Sequence, residues 1–263
     1  MNGLLSLSFP VQALLATLFT WSVTALGAAL VVFTRRVRPT VLDAMLGFGA
    51  GVMLASSFWS LLAPSIDMAT ELGQLPWLVA CAGFLCGGCI LMVGDALLSR
   101  LLPATGASSS RKRCWMLITS ITLHNIPEGL AVGVAFGALA FGTSEALLMG
   151  AWMLAIGIGL QNFPEGAAVS LPLRREGASR GVAFFLGQLS GAVEPIAGVL
   201  GALLAVTVRA VLPFMLSFAA GALVAVVIAE LVPESQRNPR CNLMTLSTLC
   251  GFAVMMVLDV ALG

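Results

Sequence analysis

His124-Asn125-Ile126-Pro127-Glu128-Gly129 and its repeat Gln161-Asn162-Phe163-Pro164-Glu165-Gly166 decide how this chain is read. Each stands deep inside a long apolar run. Each places an imidazole or amide four residues before a carboxylate, with a second amide next to the first. On a helix, positions i and i+4 share a face and i+1 borders it, so each segment aims three polar groups into one sector. The proline before each glutamate lacks a backbone N–H. It frees the carbonyl of Leu123 or Leu160 as an extra oxygen ligand or as the seat of a bend. Two such segments facing each other would build a metal site within a membrane.

Composition supports the membrane. Of 263 residues, 59% are hydrophobic and 10% charged, and the mean hydropathy is +1.02. A soluble domain could not hide that much apolar surface, so the expected class is an all-α polytopic membrane protein, one transporter domain over 1–263. Met1 to Thr34 lacks the basic start and short apolar stretch of a signal peptide and reads as a retained first span. Apolar runs of spanning length fall at about 8–34, 42–64, 77–99, 115–141, 145–173, 181–208, 212–234 and 242–262. Basic residues then set the topology. Arg35, Arg36, Arg38, Arg100, Arg111, Lys112, Arg113, Arg174, Arg175, Arg180, Arg237 and Arg240 all follow odd-numbered spans, and only Arg209 follows an even one. The positive-inside rule makes that side cytoplasmic and puts both termini outside. The stretch 101–113 reads as a flexible cytoplasmic linker. Cys86-Gly-Gly-Cys89 has a metal-like spacing, yet close helix packing accounts for it equally well. With one histidine in the chain, a His-rich site is excluded.

Residues 45–65 match 215–235 without gaps at Met, Leu, Phe, Ala, Gly, Ala, Leu and Ser, and Met92–Leu97 resembles Met256–Ala261. The two copies run in opposite directions, so spans one to three and six to eight are expected as inverted repeats around spans four and five. Counting from the cytoplasmic arginines at ~1.5 Å per residue, His124, Glu128, Gln161, Glu165 and Glu194 all fall roughly 14–22 Å deep, near the bilayer centre.

A carboxylate there costs at least ~2.5–3.5 kcal/mol, and three at one level repel one another unless protonated or neutralised. A divalent cation neutralises them directly. One imidazole (His124), three carboxylates (Glu128, Glu165, Glu194) and three amides (Asn125, Gln161, Asn162) suit Zn²⁺, Cd²⁺, Mn²⁺ or Fe²⁺ better than Cu⁺. Seven groups exceed one tetrahedral shell, so a binuclear site bridged by Glu128 and Glu165 is expected. The competing readings are interhelical hydrogen bonding for Asn125 and Asn162, and a proton relay for the glutamates. A second tier of acids marks a transport path: Asp95, Glu230 and Glu234 near the cytoplasmic end, and Asp67, Glu71 and Asp259 near the outer end. Asp43, Glu145 and Glu176 read as ordinary helix-end or loop acids.

These residues resemble the ZIP family of divalent metal transporters, in its prokaryotic GufA-like branch. The match runs over the whole chain: eight spans, paired HNxPEG-type motifs and the Glu194-Pro195 pair. The resemblance implies inward transport of zinc and similar ions, no organic cofactor, no nucleic-acid partner, a homodimer and an elevator-like motion of one helix bundle against another. It also implies that His124, Glu128, Gln161 and Glu165 form a first metal position. Asn125, Asn162 and Glu194, sharing the two central glutamates, would form a second. The expected location is the inner membrane of a bacterium. Two departures stand out. Gln161 replaces the usual histidine, and residues 101–113 lack the common His-rich loop. An intramembrane metal hydrolase and a proton or cation channel are the alternatives. The lone histidine and the absence of a His-Glu-x-x-His pattern argue against the hydrolase, and non-saturating flux would identify the channel.

Overall fold

Inside hydrocarbon a chain must satisfy its backbone N–H and C=O groups within itself, which for an apolar sequence without closed barrels leaves helices. The computed structural model of the protein describes residues 7–33, 38–101, 109–142, 145–207 and 209–262, and every regular element among them is helical. The first span is α1 (Phe9–Phe33). The second is α2 (Pro39–Ser56) continued by a π-helical turn (Ser57–Leu62) and α3 (Ala63–Glu71). The third, fourth and fifth are α4 (Pro76–Leu101), α5 (Ser109–Ala138) and α6 (Glu145–Arg175). The sixth is α7 (Arg180–Leu189), a 3₁₀ turn (Ser190–Ala192) and α8 (Val193–Thr207). The seventh is α9 (Leu212–Val226), a π-helical turn (Val227–Leu231) and α10 (Val232–Gln236), and the eighth is α11 (Cys241–Leu262).

The eight expected spans are therefore present, and seven of the helical stretches are long and apolar enough to cross a membrane. The eighth, α5, has Arg111, Lys112 and Arg113 near its start and carries the His124 motif. Helices run past the apolar runs at several ends because Ser, Arg and Glu continue a helix without adding hydropathy. Thus Leu101 closes α4 and Ser109 opens α5, while residues 102–108 of the expected linker lie outside the described residues. Between α6 and α7, Gly177 takes a positive φ of 95° and the Ser179 hydroxyl accepts from Val182 N–H at 3.2 Å, capping α7.

Packing sorts the helices into two bundles. In one, α5 lies along α8, α6 lies along α1, and α1 also contacts α7 and α8. In the other, α4 lies along α9 and α2 along α11. The bundles meet where α2 faces α6 and α9 faces α5. The core between them is apolar, with Ala50, Met53, Leu154, Ile158, Ala220 and Leu223 fully buried. Outward, α4 and α11 leave most of their apolar surface exposed, as helices facing lipid do.

The inverted repeat is visible atom by atom. Ser65 Oγ donates to the Pro213 carbonyl at 2.7 Å, and Ser235 Oγ donates to the Asp43 carbonyl at 2.8 Å. Position 65 corresponds to 235, and 43 to 213, at the same 170-residue offset as the sequence match. Both π-helical turns also sit at equivalent positions. Their closing bonds run five residues back, Ala63 N–H to the Phe58 carbonyl and Val232 N–H to the Val227 carbonyl. A proline lies two residues past each turn (Pro64, Pro233). Its missing N–H breaks the i→i−4 ladder, which a π turn locally accommodates.

Close approach follows the same symmetry. A Cβ on Gly51 would stand 1.9 Å from the Thr248 carbonyl oxygen, and one on Gly221 would stand 1.9 Å from that of Phe84. Gly51→Ala and Gly221→Ala should each destabilise the protein by about 1–3 kcal/mol through overpacking. Thermal unfolding in detergent should show similar drops in midpoint for the two. A large loss for one and none for the other would contradict equivalent packing.

Candidate metal centre

Both motif helices run unbroken through their prolines, Pro127 in α5 and Pro164 in α6. The i, i+1, i+4 pattern then turns inward as a set. His124 and Glu165 are 4% exposed, and Asn125, Glu128, Gln161, Asn162 and Glu194 are fully buried. Gly129 and Gly166 permit this depth. A Cβ on Gly129 would meet the Glu194 carbonyl oxygen at 2.5 Å, and one on Gly166 would meet that of Thr24 at 2.1 Å. The motif helices therefore seat directly on α8 and α1.

Within the site, Gln161 Nε2 donates to Glu128 Oε1 at 2.6 Å. Asn162 Nδ2 donates to both oxygens of Glu194, each at 2.9 Å, and to the Thr20 carbonyl at 3.3 Å. Asn125 Nδ2 donates to the Ser190 carbonyl at 2.8 Å. That last bond explains the 3₁₀ turn: the Ser190 carbonyl is taken by a side chain, and Pro195 offers no N–H to Gly191. Glu128, Glu165 and Glu194 lie within electrostatic reach of one another, and Glu230 within reach of Glu165. No Lys or Arg among the described residues pairs with Glu128, Glu165 or Glu194.

The donor chemistry left over is one-sided. Asn125 Oδ1, Glu128 Oε2, Gln161 Oε1, Asn162 Oδ1 and Glu165 Oε2 are buried without a hydrogen-bond partner. All five are acceptors, and all five belong to the two motifs. Buried oxygens without donors are costly. Electron-pair acceptance by a cation satisfies several at once, and oxygens with one imidazole fit a borderline-to-hard divalent ion. No three His, Cys, Asp or Glu side chains among the described residues yet converge as a finished cation cage. Amides must contribute, and His124 must turn from its present partner.

That partner is Glu230. His124 Nε2 and Glu230 Oε1 are 2.9 Å apart. Sequence counting placed Glu230 on the inner path. The π-helical turn Val227–Leu231 carries it, half-buried, to the central site. Its isolation in the run Ala225-Val226-Val227-Ile228-Ala229-Glu230-Leu231 was the available signal. This contact joins the two bundles. The other outer and inner acids stand apart. Ser60, equivalent to Glu230 in the repeat, donates to Asp259 Oδ1 at 2.7 Å. Asp259 Oδ2 is unpartnered beside a cavity of about 250 Å³ lined by Trp59, Ser60 and Met68. Asp67 is exposed, Glu234 pairs with Arg237 at 2.5 Å, and Glu71 reaches Arg209 at 4.0 Å. The Asp95 side chain lies outside the described residues. Cys89 is exposed and Cys86 half-buried on α4, away from this site.

Sequence reading missed Thr20 and Thr24 on α1. The Thr20 hydroxyl donates to Glu194 Oε2, and the Thr24 hydroxyl to Glu194 Oε1 at 3.4 Å. The signal was the stripe Thr17, Thr20, Thr24, spaced three and four apart on one face of an otherwise apolar helix.

Residues 103–259 match the family model described as ZIP zinc transporter. The chain is 40% identical to zinc transporter ZIP11 of Bos taurus over 96% of this chain and 97% of that protein. It is 36% identical to zinc transporter GufA of Myxococcus xanthus, over 95% and 98%, and 36% identical to zinc transporter ZIPB of Bordetella bronchiseptica, over 92% and 79%.

If the unpartnered oxygens take up a cation, the purified protein should bind Zn²⁺, and Glu165→Gln should weaken binding at least tenfold, about 1.4 kcal/mol. Isothermal titration in detergent measures both. Unchanged affinity would remove Glu165 from the site.

Proposed function

The chain belongs to the ZIP zinc transporter family, and on that premise we propose that it carries zinc and similar divalent ions into the cytoplasm by alternating access through the site between α5 and α6. It is a multi-pass membrane transporter and not an enzyme. The observation that carries the mechanism is the set of five unpartnered buried oxygens contributed by two repeated motifs at one depth. His124, Glu128, Gln161 and Glu165 are the ligands of the first position, with Zn²⁺ the favoured ion and Cd²⁺, Fe²⁺ and Mn²⁺ as chemically related cargo. The GufA-like placement is supported by the 36% match. The 40% match to ZIP11 widens that branch beyond prokaryotes, and the relatives do not favour a bacterial source over an animal one.

Two rigid bundles with an apolar contact between them suit sliding, because apolar side chains lose few directional bonds as they pass one another. The site rides mainly on the bundle of α1, α5, α6, α7 and α8, and Glu230 stands on the other. A cation arriving on His124 Nε2 competes with Glu230 for the same nitrogen. Loading would therefore loosen this contact between the bundles. Glu230 then becomes the first acceptor on the inward route, ahead of Glu234 and Asp95, while Asp67 and Asp259 mark the outer approach. The distribution of arginines supports the inward side and the outer termini. A homodimer belongs to the same reading and is checked by native mass spectrometry in detergent.

In proteoliposomes holding a metal-sensitive dye, native protein should give saturable Zn²⁺ influx and Glu165→Gln at most a few per cent of it. Linear, non-saturating influx would favour a channel instead. Gln161→His, adding a stronger nitrogen ligand, should lower the KM for Zn²⁺ and slow release. Acidification on the binding side should reduce uptake, since ligands must be deprotonated to bind metal; pH-independent flux would refute that coupling.

A further inference from the structure

Among the three central glutamates, Glu194 differs in kind. Glu128 and Glu165 each keep one buried oxygen without a donor, and Glu194 keeps none. An ionised carboxylate offers about four lone-pair positions, two on each oxygen. On Oε1 these face Asn162 Nδ2 at 2.9 Å and the Thr24 hydroxyl at 3.4 Å. On Oε2 they face Asn162 Nδ2 at 2.9 Å and the Thr20 hydroxyl. Each oxygen of Glu194 therefore has a donor from the chain itself, the two Asn162 hydrogens being shared among both oxygens and the Thr20 carbonyl. Charge-assisted hydrogen bonds of this sort are what a buried carboxylate needs in place of a counter-ion.

The surroundings close the same side. A Cβ on Gly191 would lie 3.0 Å from both Glu194 Oε1 and Thr24 Oγ1, so the backbone of the 3₁₀ turn roofs the pair. Symmetry accounts for the arrangement. Thr24 is the residue that corresponds to Glu194 at the 170-residue offset, and Thr20 corresponds to Ser190. The bonds Asn125 to Ser190 carbonyl and Asn162 to Thr20 carbonyl are therefore counterparts. The two halves differ where one carries a carboxylate and the other the hydroxyl that holds it.

The geometry points to a single-cation centre: Glu194 is a fixed structural carboxyl group clamped by Thr20, Thr24 and Asn162, and the cation sits on His124, Glu128, Gln161 and Glu165. This replaces the binuclear arrangement expected from the ligand count and rests on the carrier reading above. Asn162 spends its N–H₂ on Glu194, which leaves its Oδ1 as the end without a donor. Thr20 and Thr24 are positioning residues that act through that clamp.

The test is metal stoichiometry. Purified full-length protein, stripped with chelator, is dialysed against buffered Zn²⁺ and the metal per chain is measured by elemental analysis. One Zn²⁺ per native chain is expected, with Glu194→Gln still binding one within threefold of native affinity. Asn162→Asp removes the clamp's donor and sets a second carboxylate against Glu194, so it should bind two. Two Zn²⁺ on the native chain would overturn the single-cation centre while leaving the carrier intact. One Zn²⁺ lost tenfold or more in Glu194→Gln would overturn it too, by making Glu194 a ligand. No Zn²⁺ on folded native protein would overturn the carrier reading itself. In liposomes, Thr20→Val should cut the maximal influx rate at least threefold with one Zn²⁺ still bound, and Thr20→Ser should restore it. Native rates in Thr20→Val would remove the positioning role.

Discussion

Buried carboxylates that pair with no Lys or Arg among the described residues are the constraint on which this molecule turns. Each costs at least ~2.5–3.5 kcal/mol at the bilayer centre even on the lenient insertion scale, and Glu128, Glu165 and Glu194 also repel one another. The chain answers in three different ways. Gln161 donates to one oxygen of Glu128, leaving the other open. Asn162 and two threonines enclose Glu194. Glu165 keeps a bare oxygen, and Glu230, on the opposite bundle, shares the only histidine. The open oxygens are buried acceptors without a donor, an arrangement that a cation would satisfy.

The fold supplies what such a site requires. Glycines after each motif glutamate bring the helix backbones of α5 and α6 against α8 and α1, so water has no room behind the ligands. The inverted repeat then places the two motifs on helices related to each other by the same operation that exchanges Ser65 with Ser235. The contact between His124 and Glu230 joins the two bundles at the histidine of the first motif.

Much of this was legible from residue order. Eight helical stretches followed from apolar runs because lipid leaves a chain no other regular structure. The seven candidate residues His124, Asn125, Glu128, Gln161, Asn162, Glu165 and Glu194 follow from helical spacing, and all seven are buried. Helix ends were less legible, because residues such as Ser109 and Arg111 extend a helix without changing hydropathy.

Residue order determined which groups would be buried together, since periodicity is a property of a single helix. Tertiary structure alone decided how they divide their work. Whether an Asn162 N–H₂ is spent on Glu194, whether Thr20 and Thr24 face a carboxylate or lipid, and whether Glu230 reaches His124 depend on rotation and contact between helices far apart in the chain. A π-helical turn moves Glu230 around its axis by an amount that no count of residues conveys. Hydrogen bonds act over about 3 Å, and only the packed bundle sets distances that finely.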